Sequence, residues 1–169
     1  VASPESDFNW DDKGIEGIHK FIVKVFEFFY KIKFSKTNAK LESKINKAIK
    51  EISEDIENLK YNLAIIKLRK LFDYFERGVD KKSAETFLKL LTPLSSHSSQ
   101  RLWATSGKKT FISSEKWPKA DEKKIDEKLE EEEKMIWKVK DDINQIKEIS
   151  DIKNPNTYKI ITLTNNGYK

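Results

Sequence analysis

The sequence predicts an all-α fold, a helical bundle followed by one short C-terminal strand, and three observations carry that prediction. Apolar residues recur three or four positions apart over several long stretches, which is the period of a helix face. Charged residues make up 36% of the chain and Gly supplies only 5 of 169 positions, with Lys far above Arg, a composition of long solvated helices rather than of sheets. Where the period fails stand Gly, Pro, Asn and Ser, the residues that cap and turn a chain. At 169 residues the chain can build one domain with its own core, or one domain and part of another.

Residues 1–12 read as an irregular lead-in, with Asp12 a helix cap and Asp11, Asp12 and Glu16 suited to a positive helix N-terminus. Ile15, Ile18, Ile22, Val25, Phe29 and Ile32 then mark a first helix to about Lys33. A second helix spans about Ala39 to Glu57, capped by Thr37 or Asn38, with Leu41, Ile45, Ile49, Ile52 and Ile56 on its inner face. Its charges run backwards. Lys40, Lys44, Lys47 and Lys50 lie in its first half and Glu51, Glu54, Asp55 and Glu57 in its second, against the helix dipole.

The third helix, about Leu59 to Arg77, is expected to pack Tyr61, Ile65, Leu68, Phe72 and Phe75 inward and to end at Gly78. A fourth helix from about Lys81 presents Phe87, Leu88, Leu90 and Leu91. Pro93 then breaks it, and Ser95, Ser96, Ser98 and Ser99 supply caps for a second short helix that carries Leu102 and Trp103. The corner from Ala84 to Trp103 should therefore act as a keystone of the core. Beyond it, Phe111-Ile112-Ser113 reads as extended and Trp117-Pro118 as folding back on the bundle. Ile125, Leu129, Ile136, Val139, Ile143 and Ile146 mark a last helix over about Asp121 to Ile149. Tyr158 to Thr164 has strand composition after the turn Asn154-Pro155-Asn156.

Composition excludes several classes of chemistry. With no Cys, disulfides and thiolate metal sites are impossible, and cytoplasmic residence is the simple expectation. His19 and His97 stand far apart in sequence, so no His-based nucleophile or metal site is expected, and no Gly-rich phosphate loop occurs. No apolar run is long enough to cross a bilayer, so no membrane partner is expected. An initial Val followed by Ala-Ser-Pro suggests a piece of a longer chain.

Charge points to a polyanion. Residues 1–110 hold 21 Lys+Arg against 15 Asp+Glu, whereas residues 111–169 hold 12 against 13. Between Lys13 and Lys50 ten lysines face only Glu16, Glu27 and Glu42. Phosphates should be drawn to the end of the first helix, the loop Phe34 to Asn38 and the start of the second helix. The candidate RNA-binding residues are Lys31, Lys33, Lys36, Lys40, Lys44 and Lys47, joined by Lys60, Lys67 and Lys70 from the third helix. No catalytic residue is expected.

A leucine-rich helix, Pro93, a small-residue turn, His97 and Leu102-Trp103 resemble the segment closing the anticodon-binding helical domain of class Ia aminoacyl-tRNA synthetases. In that family the turn usually reads Pro-His with two acidic residues; here Ser96, Gln100 and Arg101 stand in those places. Tyr61-Asn62-Leu63-Ala64-Ile65 and the Phe111 to Trp117-Pro118 link resemble further family segments. Asp7-Phe8-Asn9-Trp10 followed by Gly14-Ile15-Glu16-Gly17 looks like the junction after the catalytic core of leucyl-tRNA synthetases, and Tyr158 to Thr164 resembles the first strand of the C-terminal appendage of the archaeal type.

The resemblance implies a lead-in from the catalytic core over residues 1–12, a helical tRNA-binding domain over 13–153, and the start of a truncated C-terminal domain over 154–169. It implies a leucine–tRNA ligase as parent, with leucine tRNA isoacceptors and the catalytic core of the same parent chain as partners. ATP and Mg are implied for the parent, and no cofactor for this piece. The His-Ile-Gly-His and Lys-Met-Ser-Lys-Ser motifs of class I synthetases are absent from these residues, so the piece should be inactive alone. The alternatives are a noncatalytic synthetase paralogue used for protein interaction, motivated by Ser96, Gln100 and Arg101, or the equivalent domain of a valyl- or isoleucyl-tRNA synthetase.

Overall fold

The computed structural model describes residues 12–36 and 38–150. Six α-helices run in order among them: α1 Asp12–Lys31, α2 Ala39–Glu57, α3 Tyr61–Asp73, α4 Lys81–Leu91, α5 Ser96–Thr105 and α6 Glu127–Ser150. Tyr74–Arg77, Ile112–Ser114 and Glu122–Lys124 form short 3₁₀ turns. The chain divides into two compact units, one through Asp126 and one from Glu127 onward. The described part of the second is the single helix α6, with Met135, Ile136 and Ile146 exposed. No strand occurs among the described residues, and the strand expected at Tyr158 to Thr164 lies outside them, as does the lead-in before Asp12.

Within the first unit, α1 to α5 close around an aromatic cluster. Phe72 of α3 stands 5.7 Å from Phe21 and 5.2 Å from Phe28 of α1 between ring centroids, and 5.4 Å from Phe87 of α4. Phe75 closes on Phe87 at 5.2 Å, and Phe29 stacks on it at 6.2 Å. Such pairs add roughly 0.5–1.5 kcal/mol each beyond the area they bury. The face of α1 is as expected at Val25, which is buried, and at Ile22, Phe29 and Ile32, which pack against the core; Ile15 lies exposed, and Phe21 is buried beside them. Phe21 and Phe28 widen that face because they reach the Phe72 ring.

Helix α2 matches its expected limits. Asn38 caps it, its side-chain oxygen accepting from the Leu41 N–H at 2.7 Å. Helix α3 is shorter than expected, with Leu68, Phe72 and Phe75 buried as expected but Tyr61 not. It begins at Tyr61, which is exposed, and its buried residues are Ala64, Leu68, Leu71 and Phe72. Lys67 bonds the buried carboxylate of Asp55 at 2.7 Å, and this ties α3 to α2. Gly78 ends the following turn at φ 105°, where a Cβ would meet the Ser35 Oγ at 2.8 Å. Only glycine suits both the left-handed backbone and that approach.

The corner after α4 has its expected keystone form. Thr92 caps the helix, and the N–H groups of Leu94 and Ser95 both bond the Leu91 carbonyl. Ser99, fully buried, donates its hydroxyl to the Ser95 carbonyl at 2.9 Å. Trp103 is buried, its indole N–H reaching Thr110 at 3.3 Å and its face covered by the ammonium groups of Lys89 and Lys108. Gln100 accepts from the Ile112 N–H at 2.8 Å, and Arg101 lies over the Phe26 ring. Two of the three residues that depart from the family pattern here therefore contact the next segment and α1.

That segment, residues 106–126, is a strap rather than a free loop. The Phe111 to Ser113 stretch turns as a 3₁₀ element and buries Ile112, not as the extended piece expected. Trp117 does fold back, its indole N–H donating to the Ser53 hydroxyl at 2.8 Å. The Asp121 N–H bonds Asn46, the Asp126 N–H bonds Ser43, and Lys124 pairs with Glu42 at 2.6 Å. A Thr110 hydroxyl bond, with Lys89 and Lys108 nearby, holds the Glu115 carboxyl below its ordinary pKa. The last helix starts only at Glu127, so Ile125 belongs to the strap.

Candidate nucleic-acid interface

One end of this unit gathers lysines from separate parts of the sequence. Helix α1 stops there, α2 and α4 begin there, and α5 arrives there. The loop between α1 and α2 is pinned to the α3–α4 connection by the Ser35 N–H, which donates to the Val79 carbonyl at 2.9 Å. A recess lined by Ile32 and Phe34 of that loop, Lys81 of α4 and Thr105 of α5 shows the same juxtaposition. Lys31, Lys33 and Lys36 project from the α1 side, all exposed. Lys81 and Lys82 project from the first turn of α4, also exposed, and Lys108 and Lys109 follow α5.

The backward charge order belongs to α2; α4 opens on Lys81 and Lys82 but is capped by Asp80 and carries Lys89 in its last turn. In α4 the Asp80 carboxylate, next to Lys81, caps the helix by accepting from the Ser83 N–H at 3.0 Å, and in α2 Lys40 shares the first turn with Glu42. Cations at a helix N-terminus cost a few tenths of a kcal/mol each and add to a positive end that already attracts anions. Sequence order hid this, because Lys81 and Lys82 come beside the α1–α2 loop only in space, where Ser35 bonds Val79.

The nine lysines expected to form one surface separate into groups. Lys31, Lys33 and Lys36 stand together on it, with Lys40 half-buried behind them. Lys44 is buried, its ammonium 5.3 Å above the Tyr74 ring, so it packs the core edge rather than offering charge to solvent. Lys47 lies 3.8 Å from Glu51. Lys67 is spent on Asp55. Lys60 is exposed at the α2–α3 corner, a helix length of roughly 28 Å from the start of α2. Lys70 is exposed in the last turn of α3.

Other chemistry does not assemble. Among the described residues no three His, Cys, Asp or Glu side chains gather as a metal would need, and no helix is long and apolar enough to cross a membrane. His19 and His97 are both exposed, on α1 and α5. What the surface offers is ammonium groups and, at the end of α1 and the loop after it, the exposed aromatics Tyr30 and Phe34.

Residues 38–162, about three quarters of the chain, match the family described as the anticodon-binding domain of tRNA ligase. The chain belongs to that family. It is 35% identical over 151 residues to a leucine–tRNA ligase of Fervidobacterium nodosum, covering 75% of this chain and 18% of the relative. It is 34% identical over 170 residues to a leucine–tRNA ligase of Prochlorococcus marinus subsp. pastoris, covering 89% and 20%. The fold is shared with a solved LeuRS–tRNA–LeuAMS ternary complex of Agrobacterium radiobacter, at 20% identity and a TM-score of 0.65 over 74% of this chain and 19% of that one. The chain thus spans about a fifth of the length of these relatives. They are bacterial, and the archaeal type expected from the resemblance finds no support among them.

For an anticodon-binding domain, the corner at Pro93 departs from the expected acids without losing its form. Gln100 and Arg101 are absorbed into packing, so the departure leaves the fold of the family intact.

Proposed function

We propose that this chain is the tRNA-binding helical part of a leucine–tRNA ligase and that the lysines at the α1–α2 end hold the phosphates of leucine tRNA. The observation that carries the reading is the convergence of exposed Lys31, Lys33, Lys36, Lys81 and Lys82 on one end of a domain of the anticodon-binding family. The named relatives are leucine enzymes, which favours leucine over the valine and isoleucine alternatives. The parent reaction would join leucine to tRNA at the expense of ATP, with Mg, in the catalytic core of the same parent chain. This part would take no cofactor and would position the tRNA. On this reading the protein works in the cytoplasm.

A basic helical surface binds RNA by shape and charge, so affinity should fall as salt displaces it. Fluorescence anisotropy with leucine tRNA should show binding at low salt that weakens steeply by physiological salt. Lys33→Glu, Lys36→Glu and Lys81→Glu combined should reduce affinity by roughly a hundredfold or more at fixed salt, each reversal acting through phosphate contacts. Binding indifferent to both salt and these reversals would sink the reading.

A further inference from the structure

We propose that the recess beneath Phe34 is a slot for one unpaired base of a bound RNA, with Phe34 as its stacking face. The inference rests on the tRNA-binding reading above and names what part of the RNA this end would engage.

The recess has a volume of about 270 Å³. That is below the ~300–1,000 Å³ of pockets for drug-sized ligands, and it suits a single flat ring system. Phe29, Ile32, Leu88 and Leu102 supply an apolar wall, and Phe34 stands at its mouth, 46% exposed. A phenylalanine so exposed gains little from burial where it is. The loop that carries it is nevertheless held in place: the Ser35 N–H is bonded to Val79, and Gly78 lies close beneath Ser35. The ring is therefore presented rather than left loose.

Charge selects the occupant. Phe34 is flanked in the chain by exposed Lys33 and Lys36, and Lys81 lines the recess from α4. Its one acid, Glu85, is bonded to Lys108 at 3.0 Å, so the rim keeps its positive balance. Thr105 and Ser106 also line the recess; their hydroxyls donate to the carbonyls of Arg101 and Trp103, and each oxygen can still accept from a base amino group. An aromatic between ammonium groups, over an apolar slot with hydroxyl acceptors, matches stacking of a base with its neighbouring phosphates held on both sides. A paired duplex hides its bases and would use the lysines alone.

The test compares two RNAs of equal length on the full chain, a hairpin with an unpaired purine-rich loop and a fully paired duplex, by anisotropy at one low salt concentration. Phe34→Ala should weaken the hairpin roughly tenfold and leave the duplex within about twofold, while Phe34→Trp should retain hairpin affinity. Lys33→Glu with Lys36→Glu should weaken both. If Phe34→Ala changes neither RNA, or both alike, while the lysine reversals still weaken them, the slot is overturned and the tRNA-binding reading stands. If no RNA binds the unaltered chain, both fall.

Discussion

Leu59 holds φ 58° between α2 and α3 with its side chain 60% exposed, a conformation that costs an L-residue about 1–2 kcal/mol and that asparagine tolerates better. Leu59→Asn should therefore raise unfolding stability by about 0.5–1 kcal/mol, read as a higher urea midpoint with an unchanged slope. A fall in midpoint would show that the leucine is held by contacts worth more than its strain. Sequence showed Gly78 as a helix end but not Leu59, because nothing in the residue type announces a left-handed turn when the residue is leucine. Lys44 was hidden for a related reason. It lies one position from Ile45 on the buried face, and only the placement of Tyr74 decides that its stem packs and its ammonium sits over a ring.

Elements were legible where a polar signal bounded an apolar period. Asn38 and the run Leu41, Ile45, Ile49, Ile52 placed α2 to the residue. Helix α3 was legible at Leu68, Phe72 and Phe75, all buried, but not at Tyr61, which is exposed because the helix only begins there. The strap was least legible, since what shapes it lies on α2, far away in sequence. Asn46 shows the dependence. Its Oδ1 accepts from the Asp121 N–H at 2.8 Å while its Nδ2 donates to the Glu42 carbonyl at 2.9 Å, and the residue is buried. Asn46→Ala leaves the Asp121 N–H without its acceptor, and should cost about 1–2 kcal/mol. Hydrogen exchange should then speed at Asp121 and its strap neighbours while α4 amides keep their protection. Equal acceleration throughout would mean that the strap and the bundle open as one unit.

At the scale of the whole first unit, the two ends differ in how their charge is used. The basic excess of residues 1–110 was visible in composition, but which lysines share a surface was not, because that depends on α2 and α4 starting at the same end. At that end Lys31, Lys33, Lys36, Lys81 and Lys82 are all exposed; at the α2–α3 corner exposed Lys60 follows the exposed acids Glu54 and Glu57 in the chain. If RNA lies on the first end alone, charge reversal should sort by place and not by number. Lys31→Glu with Lys36→Glu should flatten the dependence of log affinity on log salt by about 1.4–1.8 units, since each lost phosphate contact removes about 0.7–0.9. Lys60→Glu with Lys70→Glu removes the same formal charge and should leave that slope within about 0.5 units, changing affinity only through the longer-range field that salt screens over about 8–10 Å. Equal slopes for the two double variants would mean that RNA wraps the unit rather than docking on one end.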